Sequence, residues 1–300
     1  MNVTASAPAK INIVLAVGPR RDDGFHDLIT VFHAVDVRDT VTVEPAPAGS
    51  GVTMSVEGHD AESVPLDGTN LAARAATLLA ERTGRTPDVR IHINKRIPVA
   101  GGMAGGSADA AATLVACDAL WRTRLTRLRL QELGAELGSD IPFALHGGTM
   151  IGQGRGERLT PVLTRSELHW VISPVAGGLS TPQVYARFDE MHPGAVAEPT
   201  IDEAVMSALR SDDPQALAPI LRNDLQEAAL SMRPDLAEVL SDGMRFGALG
   251  GIVSGSGPTC VFLSADRVAA VATVAALRVE RGAQAAFAAT GPAPGAHVEE

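Results

Sequence analysis

Residues 97–120 read IPVAGGMAGGSADAAATLVACDAL, with four glycines (Gly101, Gly102, Gly105 and Gly106) inside six residues and an alanine-rich segment directly after them. Glycine weakens any regular element, so this clustering needs a physical reason. Upstream, DVRIHINKRIP (88–98) alternates, with Val89, Ile91 and Ile93 on one face. That predicts a strand, which Pro98 ends because proline cannot continue a central ladder. Downstream, Ala110, Leu114, Cys117 and Trp121 recur at helical steps and form one stripe. Ser107 and Asp109 fall at the expected first turn, where caps belong.

Strand, glycine loop, helix is the order of a phosphate cradle. A helix N-terminus carries unpaired N–H groups and partial positive charge, and glycines let a phosphate approach the backbone. The alternative is a tight turn packed against another element. A Walker loop is excluded, because Gly106 is followed by Ser107 with no lysine. A dinucleotide fingerprint is excluded too, since no three of the glycines stand at i, i+2 and i+5.

Around this centre the chain reads as α+β. KINIVLAV (10–17) places Ile11, Ile13 and Leu15 on one face and Lys10, Asn12 and Val14 on the other. A turn is expected at Gly18 and RRDDGFH (20–26), then strands at 27–35, 39–45 and 52–58. TNLAARAATLLAERTG (69–84) has helical spacing, with Thr69 or Asn70 at the cap and Gly84 as terminator. In the second half, ELHWVISP (167–174) and the stretches 250–257, 259–263 and 284–290 predict strands, and helices are expected over 201–211, 215–230, 234–248 and 265–282. Residues 44–51, 191–200 and the tail from Gly291 read as loops. The expectation is two α+β domains, 1–160 and 161–300.

The formal net charge of -10 makes nucleic acid and anionic membranes poor partners, so any phosphate must be bound by local devices. The apolar run 11–17 is far too short to span a bilayer, and Lys10 precedes it, unlike a secretory signal. Cys117 and Cys260 show no metal-type spacing and read as reduced thiols of a cytoplasmic protein. No histidine pair has zinc-ligand spacing.

Four other places carry candidate chemistry. Lys10 is a lone charge on a strand built to be buried. Either it lies at the strand edge with its ammonium in water, or it points into a cleft beside Asn12. In LGSDIPFALHGG (137–148), Asp140 is either an N-cap ahead of Pro142 or a carboxylate that orients an attacking hydroxyl. GGIVSGSGPTCVFL (250–263) is either a hairpin turn or a second wall beside a phosphate. His26 sits in a turn beside Phe25, and Tyr185, the single tyrosine, reads as buried packing unless it presents its ring to a cleft.

PAKIN (8–12), PVAGGMAGGSADAA (98–111) and GIVSGSGPTCVFL (251–263) together resemble the three motifs of the galactokinase–homoserine kinase–mevalonate kinase–phosphomevalonate kinase (GHMP) superfamily. Within it, PAKINIVL…RRDDGFHDLITVFHAVD and LGSDIPFALHGGTMIGQGRGE resemble the 4-diphosphocytidyl-2-C-methyl-D-erythritol kinases. The resemblance implies an N-terminal domain of mixed sheet and helices, a C-terminal ferredoxin-like domain and an active site between them. It implies transfer of a phosphoryl group from ATP to the 2-hydroxyl of 4-diphosphocytidyl-2-C-methyl-D-erythritol, a step of non-mevalonate isoprenoid precursor synthesis. Homoserine or mevalonate kinase activity, or a non-catalytic nucleotide-binding module, are the alternatives.

By the same resemblance, Lys10 and Asp140 are the catalytic pair. ATP lies on Pro98, Val99, Ala100, Gly101, Gly102, Met103, Ala104, Gly105, Gly106, Ser107 and Ala108, with Asn70 and Lys95 towards the adenine. Asn12, Phe25, His26, Thr181 and Tyr185 form the substrate pocket, where two rings sandwich a cytosine and the histidine bonds its edge. Mg2+ is expected with ATP, with no protein ligand identified. The partner is the small-molecule substrate, and the oligomeric expectation is a monomer or weak dimer. The chain departs from the family at Phe25, where tyrosine is usual, and at Ala108, which leaves Ser107 as the hydroxyl for phosphate or magnesium.

Overall fold

The computed structural model describes residues 2–193, 198–211, 213–282 and 286–300. Part of the expected loop at 191–200 and the first two residues of the expected strand at 284–290 lie outside them. In chain order the first half holds β1 (Val3–Arg20), β2 (His26–Pro45), β3 (Val52–Gly58), α1 (Leu71–Thr83), β4 (Val89–Lys95), α2 (Gly105–Trp121), α3 (Arg127–Leu137), α4 (Ile141–His146), β5 (Thr149–Gly154) and β6 (Arg158–Pro161). The second half holds β7 (Leu168–Ser173), α5 (Thr181–Met191), α6 (Glu203–Arg210), α7 (Pro214–Leu217), β8 (Arg222–Asn223), α8 (Gln226–Met232), α9 (Asp235–Arg245), β9 (Gly250–Val253), β10 (Cys260–Ser264), α10 (Arg267–Arg281), β11 (Phe287–Gly291) and β12 (His297–Val298).

The larger sheet runs β12-β1-β2-β4-β3, with an antiparallel β1–β2 pair as its spine. Both spine strands fork. The first part of β2 pairs with β5 and its last part with β4, while β1 pairs with β12 near its start and with β8 beyond Asn12. The stretches 27–35 and 39–45, expected as separate strands, are one strand. Val35 and Arg38 face consecutive β1 residues, Ala9 and Pro8, so the polar break at Asp36 is a bulge rather than a turn. His26 accordingly opens β2 instead of sitting in the turn.

Residues 5–18 of β1 are all buried, because the strand is covered on both faces. Ala5, Ala7, Ala9, Ile11 and Ile13 share a core with Ala108, Ala110, Ala111 and Leu114 of α2. Alanines on both sides let the helix lie close to the strand. Residues 108–117 of α2 are buried without a break, so the helix is not the single apolar stripe its spacing suggested. It is enclosed by β1, β2, α1, α3 and α4. The alternation in β1 slips at Ile13, a bulge between Asn12 and Val14. Leu15, expected opposite Lys10 and Asn12, therefore lines the same cleft as they do.

Helix α1 forms where the sequence places it. Asn70 accepts from the Ala72 N–H at 2.8 Å, and Gly84 closes the helix at φ 65°. The smaller sheet, β11-β7-β10-β9, is antiparallel throughout, the ferredoxin-like order. Trp170, Ile172, Val261 and Leu263 point into the core of the larger sheet, while Val171 and Phe262 point to α9 and α10. The helix expected over 215–230 is broken into α7, a 3-10 turn at Ala218–Ile220, β8 and α8. Pro219 cannot sit in a helix interior. Asn223 then donates to the carbonyls of Val253 and Gly255, which ties β8 to the β9–β10 turn. Helix α5 has no counterpart among the expected elements.

Gly243 of α9 lies against the ring of Phe262, and an added Cβ would stand 2.1 Å from Cε1. Gly243→Ala is expected to destabilise the protein by roughly 1–3 kcal/mol, the usual cost of overpacking. A thermal or urea melt with an unchanged midpoint would contradict this packing.

Candidate active site

A cleft of about 850 Å³ opens between β1, the 97–104 loop, the start of α2, the start of α4 and helix α5. Of the loop residues, Pro98 to Gly102, Ala104, Gly105, Gly106 and Ser107 line it. Met103 and Ala108 face the core and are fully buried. The loop holds Ala100 at φ 53°, Gly102 at φ 78° and Ala104 at φ 59°. Left-handed backbone at two alanines costs of order 1–3 kcal/mol each and persists only where the surroundings enforce it.

Most of the clustered glycines answer to neighbouring protein. A Cβ at Gly101 would stand 2.6 Å from Thr259 Oγ1, and one at Gly102 2.1 Å from the Ser254 carbonyl. A Cβ at Gly105 would stand 3.1 Å from Lys95 Nζ. Of the four, only Gly106 is uncrowded, with Leu71 Cδ1 at 3.7 Å as its nearest atom. The β9–β10 turn thus packs on the loop as a second wall, and Ser254 Oγ donates to the Gly102 carbonyl at 3.2 Å. Neither Ser107 nor Asp109 caps α2. The helix starts at Gly105, the N-cap position is Ala104, and no side chain bonds the first turn. Its leading N–H groups are therefore left for the cleft.

Lys10 lies just past the bulge between Pro8 and Ala9 and is 7% exposed, so its ammonium is not out in water. Nζ donates to Asn12 Oδ1 at 2.8 Å and to the Gly102 carbonyl at 3.1 Å. Asn12 Nδ2 donates in turn to Thr30 Oγ1, and that hydroxyl donates to the Val14 carbonyl. This chain fixes the Asn12 amide with its oxygen towards Lys10. Burial pulls the Lys10 ammonium below the ordinary lysine value, and the Asp140 carboxylate opposes that pull. Asp140 occupies the N-cap position of α4 but makes no capping bond with its side chain, and it lines the cleft.

Lys95 points beneath the loop. Its Nζ donates to Asp39 Oδ2 at 2.5 Å and to Asp109 Oδ2 at 2.7 Å, all three side chains being buried. The two carboxylates outweigh burial and raise the Lys95 ammonium, while burial raises the Asp109 carboxyl against the pull of Lys95. Asn70 is likewise engaged at both ends, accepting from Ala72 and donating to the Pro65 carbonyl.

The far wall is built by β2 and α5. Thr181 and Tyr185 lie four apart on α5, so they share a helix face. Thr181 Oγ1 and Ser256 Oγ are 2.8 Å apart. Tyr185 is half-buried in the cleft wall rather than packed away, and burial, with the Asp140 charge, raises its phenol. Its ring stacks on His26, with centroids 5.0 Å apart and planes at 28°. Phe25 is 52% exposed at the rim, with the Arg155 guanidinium 5.1 Å from its ring centre. One further residue belongs here: Asp189, whose Oδ1 is 2.8 Å from His26 Nε2. Its spacing of four from Tyr185 was the signal that could have found it, but without helix α5 that spacing has no meaning.

Both cysteines are free and buried. Among the described residues there is no group of three His, Cys, Asp or Glu that could hold a metal, and no helix is long and apolar enough to cross a membrane.

The family model described as GHMP kinases N terminal domain matches residues 70–148, and that described as GHMP kinases C terminal matches residues 205–283. The chain is 57% identical over 271 residues to a 4-diphosphocytidyl-2-C-methyl-D-erythritol kinase of Kineococcus radiotolerans, covering 90% of this chain and 83% of that one. It is 52% identical over 302 residues to the kinase of the same name from Thermobifida fusca, covering 99% and 98%. A crystal structure of 4-(cytidine 5'-diphospho)-2C-methyl-D-erythritol kinase superposes with a TM-score of 0.78 at 33% identity over 97% of this chain and 98% of that one. Homoserine kinase from Cytophaga hutchinsonii shares the fold, at TM-score 0.76 and 18% identity over 99% and 97%. More than half the residues are identical to those of full-length relatives, so the chain belongs to the 4-diphosphocytidyl-2-C-methyl-D-erythritol kinase family of the GHMP kinases.

Proposed function

We propose that the cleft transfers the γ-phosphoryl of ATP to the 2-hydroxyl of 4-diphosphocytidyl-2-C-methyl-D-erythritol. The observation that carries this reading is the uncapped start of α2 facing the same cleft as Lys10 and Asp140. Leading N–H groups supply positive potential in a chain of net charge -10. In this reading residues 1–160 hold the nucleotide, and 161–300 contribute Thr181 and Tyr185 to the substrate side.

Phosphoryl transfer proceeds through a loose transition state, so positioning and charge stabilisation dominate. Asp140 faces the acceptor hydroxyl, orients it and takes its proton. Lys10 and Asp140 act on each other as opposite charges, the carboxylate favouring the charged ammonium that burial disfavours. An ammonium has three donors, and Asn12 and Gly102 use two of those of Lys10. The third is left for the moving phosphoryl. Mg2+ bound with the nucleotide would supply charge neutralisation on the phosphates. Ser107 and Asp140, with Asp109 and Ser139, are the side chains lining that part of the cleft whose oxygens would be available to the ion. Lys95, spent on Asp39 and Asp109, supports the loop from below, and Asn70 lines the cleft at the start of α1.

Asp140→Asn is expected to fold with an unchanged melting temperature, since the side chain makes no capping bond, and to lose roughly a hundredfold or more in kcat. A near-wild-type rate would remove Asp140 from the chemistry. For the cradle, Gly106 is the clean probe, because a side chain at Gly105 would press on Lys95 as well. Gly106→Val is expected to keep its fold and raise KM for ATP. Unchanged ATP kinetics in a folded variant would move the phosphates off this loop.

A further inference from the structure

We propose that Asp189 is a positioning residue that fixes the tautomer of His26 and so sets a preference for cytosine over uracil in the substrate. The inference rests on the cytidine-substrate reading above. His26 has its side chain 4% exposed, stacked on Tyr185 and edge-on to Phe188. Its ring orientation is therefore set by packing. Nε2 meets Asp189 Oδ1 at 2.8 Å, while Asp189 is 32% exposed and its other oxygen stands 3.9 Å from Arg20 Nη1. A carboxylate can only accept, so the Nε2 position carries the proton. In the neutral ring Nδ1 is then a lone-pair acceptor. That atom makes no hydrogen bond among the described residues and is left unsealed, and His26 lines the cleft.

An acceptor at this place matches one pyrimidine and opposes the other. Cytosine carries a 4-amino donor, whereas uracil carries a carbonyl oxygen there. Stacking on an aromatic face does not tell them apart, since both bases have π-faces. A site that must pair its polar groups rejects the mismatched ligand far more strongly than an apolar pocket does. Without Asp189 the ring exchanges freely between tautomers, and Nδ1–H would donate to the uracil carbonyl instead. Thr181, Tyr185 and Asp189 lie at steps of four on α5, so one helix face carries the contact to Ser256, the stacking ring and the tautomer lock together.

The test joins spectroscopy to kinetics. The imidazole nitrogens of His26 are read by 15N NMR in the substrate-free protein at a pH where the ring is neutral. Values of kcat/KM are then compared for the cytidine substrate and its uridine counterpart. The wild type is expected to show the Nε2–H form and to prefer cytidine. Asp189→Ala is expected to show a mixture of tautomers and to lose roughly tenfold or more of the preference, the scale of one unpaired polar group. Asp189→Asn, whose amide oxygen still accepts from Nε2–H, is expected to retain both. An Nδ1–H form in the wild type overturns the inference, and so does Asp189→Ala with an unchanged tautomer or an unchanged preference. Wild-type protein that turns over neither substrate overturns the kinase reading and the inference with it.

Discussion

The buried ion cluster under the glycine loop is the constraint on which the site depends. Lys95 comes from the end of β4, Asp39 from the middle of β2 and Asp109 from the first turns of α2. One ammonium therefore fixes the separation of three elements. Asp39 goes further, because its Oδ1 accepts the backbone N–H groups of Arg96 and Ile97, the residues that lead into the loop. Two charged partners and two amides thus determine where the chain leaves the sheet. Removing one member of such a cluster leaves a buried charge uncompensated, which is far costlier than never having built it.

That anchoring explains how alanines can be held at positive φ. The loop is fixed at its entry by Asp39, from below by Lys95 and from the side by the β9–β10 turn. With its path over-determined, the backbone of α2 can start without a cap and leave its N–H groups to the cleft. Glycine clustering therefore has two causes that look alike in a sequence. At Gly101 and Gly102 the absent side chain admits Thr259 and the Ser254 carbonyl; at Gly106 a side chain would meet only Leu71, at ordinary contact distance.

Local signals in the sequence were reliable where the deciding physics is local. Helix α1 has its cap and its terminator within its own span, and β4 has its alternation. The motifs around Lys10 and the loop, and the segment 137–148 that holds Asp140, are each short and contiguous, so these residues could be singled out as candidates before their positions in space were known. The failures come from partners distant in the chain. Asp39 and Lys95 lie 56 residues apart, and His26 and Asp189 lie 163 apart, so no window contains either pair. The bulge at Ile13 reverses the side taken by Leu15, because β2 skips one partner there. The stretch 215–230 keeps a helical spacing of apolar residues, yet Pro219 and the demands of Asn223 break it into four pieces. Apolar period measures burial, and it does not report whether the backbone between buried positions is continuous.

The pairing of β1 has a consequence for how the molecule is made. Ala5 and Ser6 take Val298 and His297 as neighbours, and Val14 and Leu15 take Arg222 and Asn223. Strand β1 is thus completed by strands translated much later, β12 last of all. At ribosomal rates that interval is roughly 15–60 s. Until then one edge of a strand with fourteen consecutive buried positions lacks its partners. Arg38 and Arg127 then bind the returning segment through the carbonyls of Pro294, Gly295 and Ala296. Such long-range closure slows folding and leaves an adhesive edge open during synthesis. Closure of that edge is therefore expected to be a late step of folding, with β1 dependent on protection of its edge until then.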